Sequence, residues 1–283
     1  MNIFDPQGPV AAAEKTILID SIAIMLAIVV PTIVAILAFA YWFRQSNPRA
    51  QYLPDFAYSG RLELVVWSIP TLTVILLGGV AWIGSHQLDP AARVEGTGAP
   101  VRIQVVSLDW KWLFIYPDLR VATVNSLTVP VGAPLRFELT SASVMNVFFV
   151  PQLGSMIYSM AGMVSQLHLQ ADKPGEYLGM SAQFSGEGFP TMTFKVKAVP
   201  PADYAKWLAD TLTSNAPPLD AAAYAELAKP SEAVPPKTYT PVERGLFDLI
   251  IDHTVRPPAT AAAQAASAFW AWCGQAVRSR EGI

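Results

Sequence analysis

Two long apolar runs open the chain, and neither contains a charged residue. The first covers residues 21–43 and the second covers residues 64–85. A run of about 20 apolar residues is long enough to cross about 30 Å of hydrocarbon as a helix. Each run contains one proline, Pro31 or Pro70, which membrane helices tolerate when neighbouring groups satisfy the freed carbonyl. The pattern predicts a two-helix transmembrane hairpin within residues 1–90, rather than two buried helices of a soluble protein.

Alternating apolar and polar residues replace these runs after a linker rich in proline, glycine and alanine. The alternation marks four segments, at residues 101–108, 135–141, 165–171 and 191–199. Turn-forming residues separate these segments, and no helical pattern lies between them. Residues 91–200 are therefore predicted to form an all-β sandwich or barrel.

Proline-rich connections separate short helical patterns in the last part of the chain. Helices are predicted at residues 203–212, 221–228 and 243–252. Residues 201–258 are thus predicted to be a helical extension. The alanine-rich tail, residues 259–283, is predicted to contain a helix that packs on a partner subunit or on the membrane surface. Trp270 and Trp272 would anchor that helix.

The charge content supports a membrane protein and gives the orientation of the hairpin. Only 14% of the residues are charged, against about 25% in typical soluble domains. The 19 basic and 22 acidic residues give no electrostatic case for a nucleic-acid partner. The loop between the two apolar runs carries Arg44, Arg49 and Arg61 against Asp55. Because Lys and Arg mark the cytoplasmic side, both the N-terminus and the large C-terminal part are predicted to lie outside.

The metal-binding side chains are few and scattered. Cys273 is the one cysteine, so the chain has no cysteine pair for a zinc or a thiolate copper site. Of the three histidines, His168 falls on a predicted strand, and His86 and His253 lie outside the predicted sandwich. The sequence therefore predicts that this chain binds no metal.

Four aromatic-rich motifs are specific enough to indicate a family. They are LELVVWSIP at 62–70, LDWKWLFIYP at 108–117, SVMNVFFVPQLGSMIYSMAGM at 143–163 and GMSAQFSGEGFPTM at 179–192. In these motifs the chain resembles subunit II of the haem–copper terminal oxidases, and the match to the bo-type ubiquinol oxidase branch is close. The resemblance extends from residue 4 to about residue 254. It implies a helical hairpin followed by a cupredoxin-like barrel.

The resemblance also implies where a copper centre would lie in the cytochrome c oxidase branch of the family. That branch holds a dinuclear copper in the barrel. Its ligand positions correspond here to Asn146, Ser181, Gln183, Ser185, Phe189 and Met192. Such copper needs thiolate and imidazole ligands, which hydroxyl, amide and phenyl groups cannot replace. We therefore expect these six positions to be vestigial, with Met192 a packed side chain.

The quinol branch of the family implies a function for the whole complex. It implies subunit II of a proton-pumping ubiquinol oxidase, which couples quinol oxidation to the reduction of oxygen to water in the aerobic respiratory chain. The chain itself would be a non-catalytic subunit without a redox centre. The haems, copper and ubiquinol would belong to the catalytic subunit I, and further small membrane subunits would complete the complex. The resemblance places it in the bacterial inner membrane, crossing twice, with its N-terminus and its C-terminal domain on the periplasmic side.

Glu63 is the candidate functional residue of the hairpin, because it lies at the cytoplasmic start of the second apolar run. The resemblance implies that this carboxylate lies at the mouth of a proton-uptake pathway of subunit I. The alternative is an interfacial charge paired with Arg61, since such charges are common at membrane surfaces.

Two further interpretations stay open at this point. Trp110 and Trp112 are expected to fill the core or to pack against the catalytic subunit, and Asp109 and Lys111 are expected to be solvated or in contact with another subunit. The architecture alone also permits a membrane-anchored binding module with a β-sandwich outside the membrane. The sequence does not favour an active cytochrome c oxidase subunit, because the copper site of such a subunit requires cysteines that the barrel lacks.

Overall fold

The computed structural model of the chain describes residues 3–51 and 53–252. The chain divides into two units. One consists of Ala13–Asp89, and the other consists of Met1–Ala12 together with Pro90–Ile283. The predicted tail helix, with Trp270, Trp272 and Cys273, lies outside the described residues, as does His253.

Two long helices form the first unit and its connection to the second. Helix α1 spans Pro9–Trp42 and helix α2 spans Gly60–Gln87. Both are long and apolar enough to cross a membrane, by length and composition. Helix α1 begins well before the predicted residue 21. The preceding PVAAAEKTILID has proline at its first helical position and strong helix formers after it, so the helix continues beyond the apolar run.

Eleven strands form the second unit. They are β1 Val101–Leu108, β2 Lys111–Tyr116, β3 Val121–Val124, β4 Ser126–Pro130, β5 Leu135–Ser141, β6 Asn146–Val150, β7 Gly154–Ser159, β8 Ser165–Leu169, β9 Gly175–Ser181, β10 Thr193–Val199 and β11 Lys237–Tyr239. The first sheet has the order β11-β3-β2-β1-β5-β8, and the second sheet has the order β4-β10-β9-β6-β7. The predicted all-β sandwich is confirmed, as are the four strands expected from alternation.

Aromatic side chains fill the space between the two sheets. The rings of Phe148 and Phe194 stack with their centroids 5.1 Å apart, and Trp112 meets Phe148 edge-on at 5.5 Å. All three side chains are buried, and Phe114 extends the cluster. Trp112 therefore belongs to the core, as expected. Aromatic groups of this kind dominate the energetics of a core because each buries a large apolar area.

The C-terminal part adds three short helices and a strand. Helix α3 spans Pro201–Thr213, α4 spans Ala221–Leu227 and α5 spans Leu246–Ile251, close to the three predicted helices. Strand β11 was not predicted. It pairs with β3 and makes the extension part of the first sheet.

We call residues 214–252 the C-terminal layer, because they cover the outer face of the first sheet. Leu113 and Ile115 from β2 are buried against Tyr224, Phe247 and Ile250 of the C-terminal layer. The first sheet thus lies between two apolar cores, one on each face. A strand buried on both faces has no reason to alternate apolar and polar residues.

Polar side chains of the barrel also hold the C-terminal layer. Lys111 Nζ donates to the carbonyl oxygen of Lys229 at 2.6 Å and to Ser231 Oγ at 2.6 Å. Asn125 Nδ2 donates to the carbonyl oxygen of Val234 at 2.8 Å. The expectation that Lys111 is solvated or meets another subunit is wrong, because its side chain is buried under this layer. Desolvation by burial lowers the pKa of Lys111 to about 8, against the smaller effect of the Asp109 charge.

Candidate functional site

The six positions implied by the family resemblance lie together at one end of the second sheet. Asn146 opens β6 and Ser181 ends β9, and these two strands are neighbours in that sheet. After β9 the chain turns back to β10 through a short 3-10 helix, Phe189–Thr191. The sheet order therefore brings residues that are far apart in sequence to one site.

The side chains of Asn146 and Ser181 form a hydrogen bond with each other. Ser181 Oγ donates to Asn146 Oδ1 at 3.0 Å and lies 3.2 Å from the carbonyl oxygen of Gln183. Asn146 Nδ2 donates to the carbonyl oxygen of Val144 at 3.3 Å. Both side chains are buried. Buried polar groups are costly unless they are paired, and this pairing meets that need within the protein.

At the other positions of the site, the side chains make weak polar and apolar contacts with one another and with neighbouring residues. Ser185 Oγ lies 3.9 Å from Met192 Sδ, as a donor to the thioether. Met192 is buried in the core between the sheets, as expected. The ring of Phe189 meets that of Phe184 edge-on, with the centroids 5.7 Å apart. None of these contacts places two strong metal ligands side by side.

Trp110 holds the loop between β9 and β10, a role that the sequence did not reveal. Its indole Nε1 donates to the carbonyl oxygen of Ser185 at 3.1 Å. Its ring lies against Gly188, where an added Cβ would come within 2.5 Å of the ring atoms. Gly186, at φ +110°, supplies the backbone bend beside it. The glycine pair opposite a tryptophan is the one sequence signal that could have indicated this contact.

The donor atoms of the site do not fit a dinuclear copper centre. They are two hydroxyls, two amides and one thioether, and none of them is a thiolate or an imidazole. Hydroxyls remain protonated near neutral pH, and soft copper sites select thiolate and imidazole ligands. Throughout residues 3–51 and 53–252, no group of three or more His, Cys, Asp or Glu side chains could hold a metal ion.

Glu63 lies in the other unit, in the first turn of α2. Its side chain is exposed, and its backbone N–H donates to the carbonyl oxygen of Ser59 at 3.0 Å. A carboxylate in this position is favoured by the positive end of the helix dipole. In the part of the chain that the structure describes, no ion pair links Glu63 to Arg61.

Two family models match the second unit. The model for the periplasmic domain of cytochrome c oxidase subunit II matches residues 116–199, and the model for the COX aromatic-rich motif matches residues 214–257. The first match covers most of the sandwich and the second covers the C-terminal layer. The fold and these matches define the class of the protein, which is subunit II of the oxidases.

Whole-chain relatives identify the branch within that class. The cytochrome bo(3) ubiquinol oxidase subunit 2 of Pseudomonas aeruginosa is 46% identical over 251 residues, covering 89% of this chain and 76% of the relative. The ubiquinol oxidase subunit 2 of Acetobacter aceti is 45% identical over 253 residues, covering 89% and 82%. The quinol oxidase subunit 2 of Bacillus cereus is 38% identical over 231 residues, covering 81% and 79%. The chain belongs to the ubiquinol oxidase subunit 2 family.

Proposed function

We propose that this chain is the non-catalytic second subunit of a proton-pumping ubiquinol oxidase in a bacterial inner membrane. It crosses the membrane twice, and its sandwich lies on the periplasmic side. The haems, the copper and the quinol chemistry belong to the catalytic subunit, with further small membrane subunits in the complex. This chain supports the catalytic subunit and supplies one carboxylate to proton uptake.

One observation carries the proposal that electrons do not pass through this subunit. At the end of the sandwich, Ser181 and Asn146 are hydrogen-bonded to each other where the family resemblance implies a thiolate and an imidazole. Because these polar groups already form hydrogen bonds with each other, binding a cation there would stabilise the protein little. Electrons would then enter the complex from quinol in the membrane, directly at the catalytic subunit.

Metal analysis of the purified chain tests this point. We expect less than one copper per chain after incubation with Cu²⁺ and dialysis, and no charge-transfer absorption from copper–sulfur bonds. Copper held between the loops near residues 146 and 185 would contradict the proposal. The matched control is a copper-binding periplasmic domain of a cytochrome c oxidase subunit II, treated in the same way.

Glu63 is the residue that we assign to proton uptake. It lies at the predicted cytoplasmic end of α2, in a run that is otherwise apolar towards the membrane. A charged group is costly in hydrocarbon and is therefore placed where water or protein can stabilise it. A carboxylate at that position can exchange protons with cytoplasmic water and pass them to a pathway in the catalytic subunit.

The purified oxidase provides the test of this role. With Glu63→Gln we expect slower quinol-dependent oxygen uptake and unchanged haem content, while Glu63→Asp keeps most of the activity because it keeps the carboxylate. Normal turnover of the Glu63→Gln oxidase would remove the role from this residue. Lost haem content in that variant would instead show that Glu63 is needed for assembly.

Co-purification distinguishes the oxidase subunit from the alternative, a membrane-anchored binding module. In mild detergent, the oxidase subunit should purify together with a protein that shows haem absorption and quinol oxidase activity. A binding module would purify without haem.

A further inference from the structure

Three basic side chains form a row across the outer face of the first sheet. The strand register pairs Arg102 of β1 with Arg136 of β5, and pairs Arg136 with His168 of β8. The next residues along β1 and β5, Ile103 and Phe137, belong to the core between the sheets, so the row lies on the opposite face. Neighbouring strands are about 4.8 Å apart, which makes the row about 10 Å long. We call Arg102, Arg136 and His168 the basic row.

One buried carboxylate lies against both arginines of the basic row. Glu138 Oε2 accepts from Arg102 Nε at 3.0 Å and from Arg102 Nη2 at 2.7 Å. Glu138 Oε1 lies 3.2 Å from Arg136 Nη2. The charges of Asp118 and Asp248 also act on Arg102, whereas Arg136 makes no second ion pair in the part of the chain that the structure describes. The positive charge is therefore least compensated at Arg136.

The chain places no hydrogen-bond acceptor at this end of the row. Among the described residues, Arg136 Nε and His168 Nδ1 are buried without a hydrogen-bond partner, and His168 is only 9% exposed. The side chains of Arg102 and Arg136 are 44% and 42% exposed, so solvent reaches part of each arginine. Because a guanidinium group carries five N–H donors and no acceptor, each arginine keeps donors that Glu138 does not use. Two adjacent guanidinium groups with unused donors are suited to bind an anion.

The covalent chain limits how far the basic row can lie from the end of α2. Helix α2 ends at Gln87, and three residues later the carbonyl oxygen of Pro90 accepts a hydrogen bond from the backbone N–H of His168 at 2.9 Å. Three residues span at most about 11 Å. Lipid headgroups extend about 5–7 Å beyond the hydrocarbon core. The headgroups at the predicted outer end of α2 are therefore the nearest abundant source of phosphate groups.

We propose that the basic row binds the phosphate group of an anionic phospholipid at the outer surface of the membrane. The guanidinium groups of Arg102 and Arg136 donate in pairs to the phosphate oxygens, a geometry for which arginine is better suited than lysine. Glu138 already holds both guanidinium groups in place, so binding costs little side-chain entropy. This inference goes beyond the proposed function and rests on it for the side of the membrane on which α2 ends.

Photolabelling of the whole oxidase tests the inference. The purified complex is placed in phosphatidylcholine bilayers with a small fraction of phosphatidylglycerol that carries a diazirine in its headgroup, and labelled peptides are identified by mass spectrometry. We expect label on peptides that contain β1, β5 or β8. In Arg136→Gln this label should fall at least about tenfold, the equivalent of one hydrogen bond to a charged group. The matched control is Lys195→Gln, which removes an exposed lysine from the second sheet and should leave the label unchanged.

The unmodified oxidase alone can overturn the inference, whether or not Arg136→Gln assembles. Label confined to the membrane helices would do so, as would equal label in Arg136→Gln and Lys195→Gln preparations of equal haem content. Displacement of the label by millimolar inorganic phosphate would show that the ligand is a free anion and would overturn the lipid assignment.

The same preparations separate this inference from the proposed function. Haem absorption and quinol oxidase activity without label on these strands would contradict the lipid site alone. Label on these strands in a chain that purifies without haem would contradict the proposed function alone.

Discussion

At the scale of single residues, the contact between Trp110 and Gly188 fixes the loop that contains the vestigial site. We expect Gly188→Ala to lower the free energy of unfolding by about 1–3 kcal/mol, because the new methyl group would overlap the indole ring. Gly175→Ala is the control, since its Cβ would meet the nearest atom at 3.4 Å. Urea unfolding of the detergent-solubilised chain, followed by tryptophan fluorescence, measures both variants. Equal stability of the two variants would contradict the assigned packing.

Lys111 should give the protein a measurable pH dependence. Its pKa is about 8 in the folded protein and near its usual value of 10.5 in the unfolded chain, so the unfolded chain binds more protons between these values. Stability therefore rises with pH from about 8 towards 10, with a slope of at most about 1.4 kcal/mol per pH unit from this group. Above pH 10 the buried tyrosines act in the opposite direction, because burial raises the pKa of Tyr116 and Tyr224. In Lys111→Met the rise should be missing from urea-unfolding curves, and an unchanged slope would argue against the assignment.

The assignment of the site positions stays a prediction from the motifs around them, and the error at Lys111 has a physical cause. Asn146 and Ser181 could be assigned because the motifs around them are long and rich in aromatic residues. Lys111 was misassigned because lysine side chains are usually solvated. Its burial depends on Lys229 and Ser231, which are more than a hundred residues away in sequence. No local pattern carries that information.

At the scale of elements, a strand was predictable where polar residues alternate with apolar ones in its sequence. The bounds predicted from alternation for residues 101–108 and 135–141 are those of β1 and β5, although both strands are almost wholly buried. Strand β2, Lys111–Tyr116, was missed as a strand because its sequence KWLFIY has no alternation, and both of its faces are covered. The three-residue strand β11 was missed because its pairing with β3 is set by the C-terminal layer as a whole.

The C-terminal layer should be an integral part of the fold. Phe247 in α5 is 3% exposed and packs in the core outside the first sheet. We expect Phe247→Ala to cost about 3–5 kcal/mol of stability, since it removes a buried ring and leaves a cavity. Leu212→Ala on α3 should cost less than about 0.5 kcal/mol, because Leu212 is 51% exposed. Chemical denaturation of both variants provides the measurement. A mild effect at Phe247 would mean that this layer is only loosely attached.

At the scale of the whole molecule, the two outer faces of the sandwich differ. The C-terminal layer covers the first sheet, whereas the second sheet keeps large apolar side chains in the open. Met156 and Tyr158 on β7 are 58% and 49% exposed, and Phe184 in the loop after β9 is 73% exposed. Large apolar side chains left exposed in this way are typical of an interaction surface. In a subunit of an oxidase complex, the expected occupant of this surface is the catalytic subunit.

The double substitution Met156→Lys and Tyr158→Lys tests this assignment. Both side chains point outwards, so we expect the chain to fold normally and its circular dichroism to be unchanged. Burying two unpaired charges at an interface is costly, and removing a tyrosine that acts as a hot spot costs about 2 kcal/mol or more. The recovery of the catalytic subunit with the tagged chain in mild detergent should therefore fall about tenfold or more. Leu212→Lys is the control, since it adds a charge at an exposed apolar position of α3. If both chains recover the catalytic subunit equally well, the open face of the second sheet is not where that subunit binds.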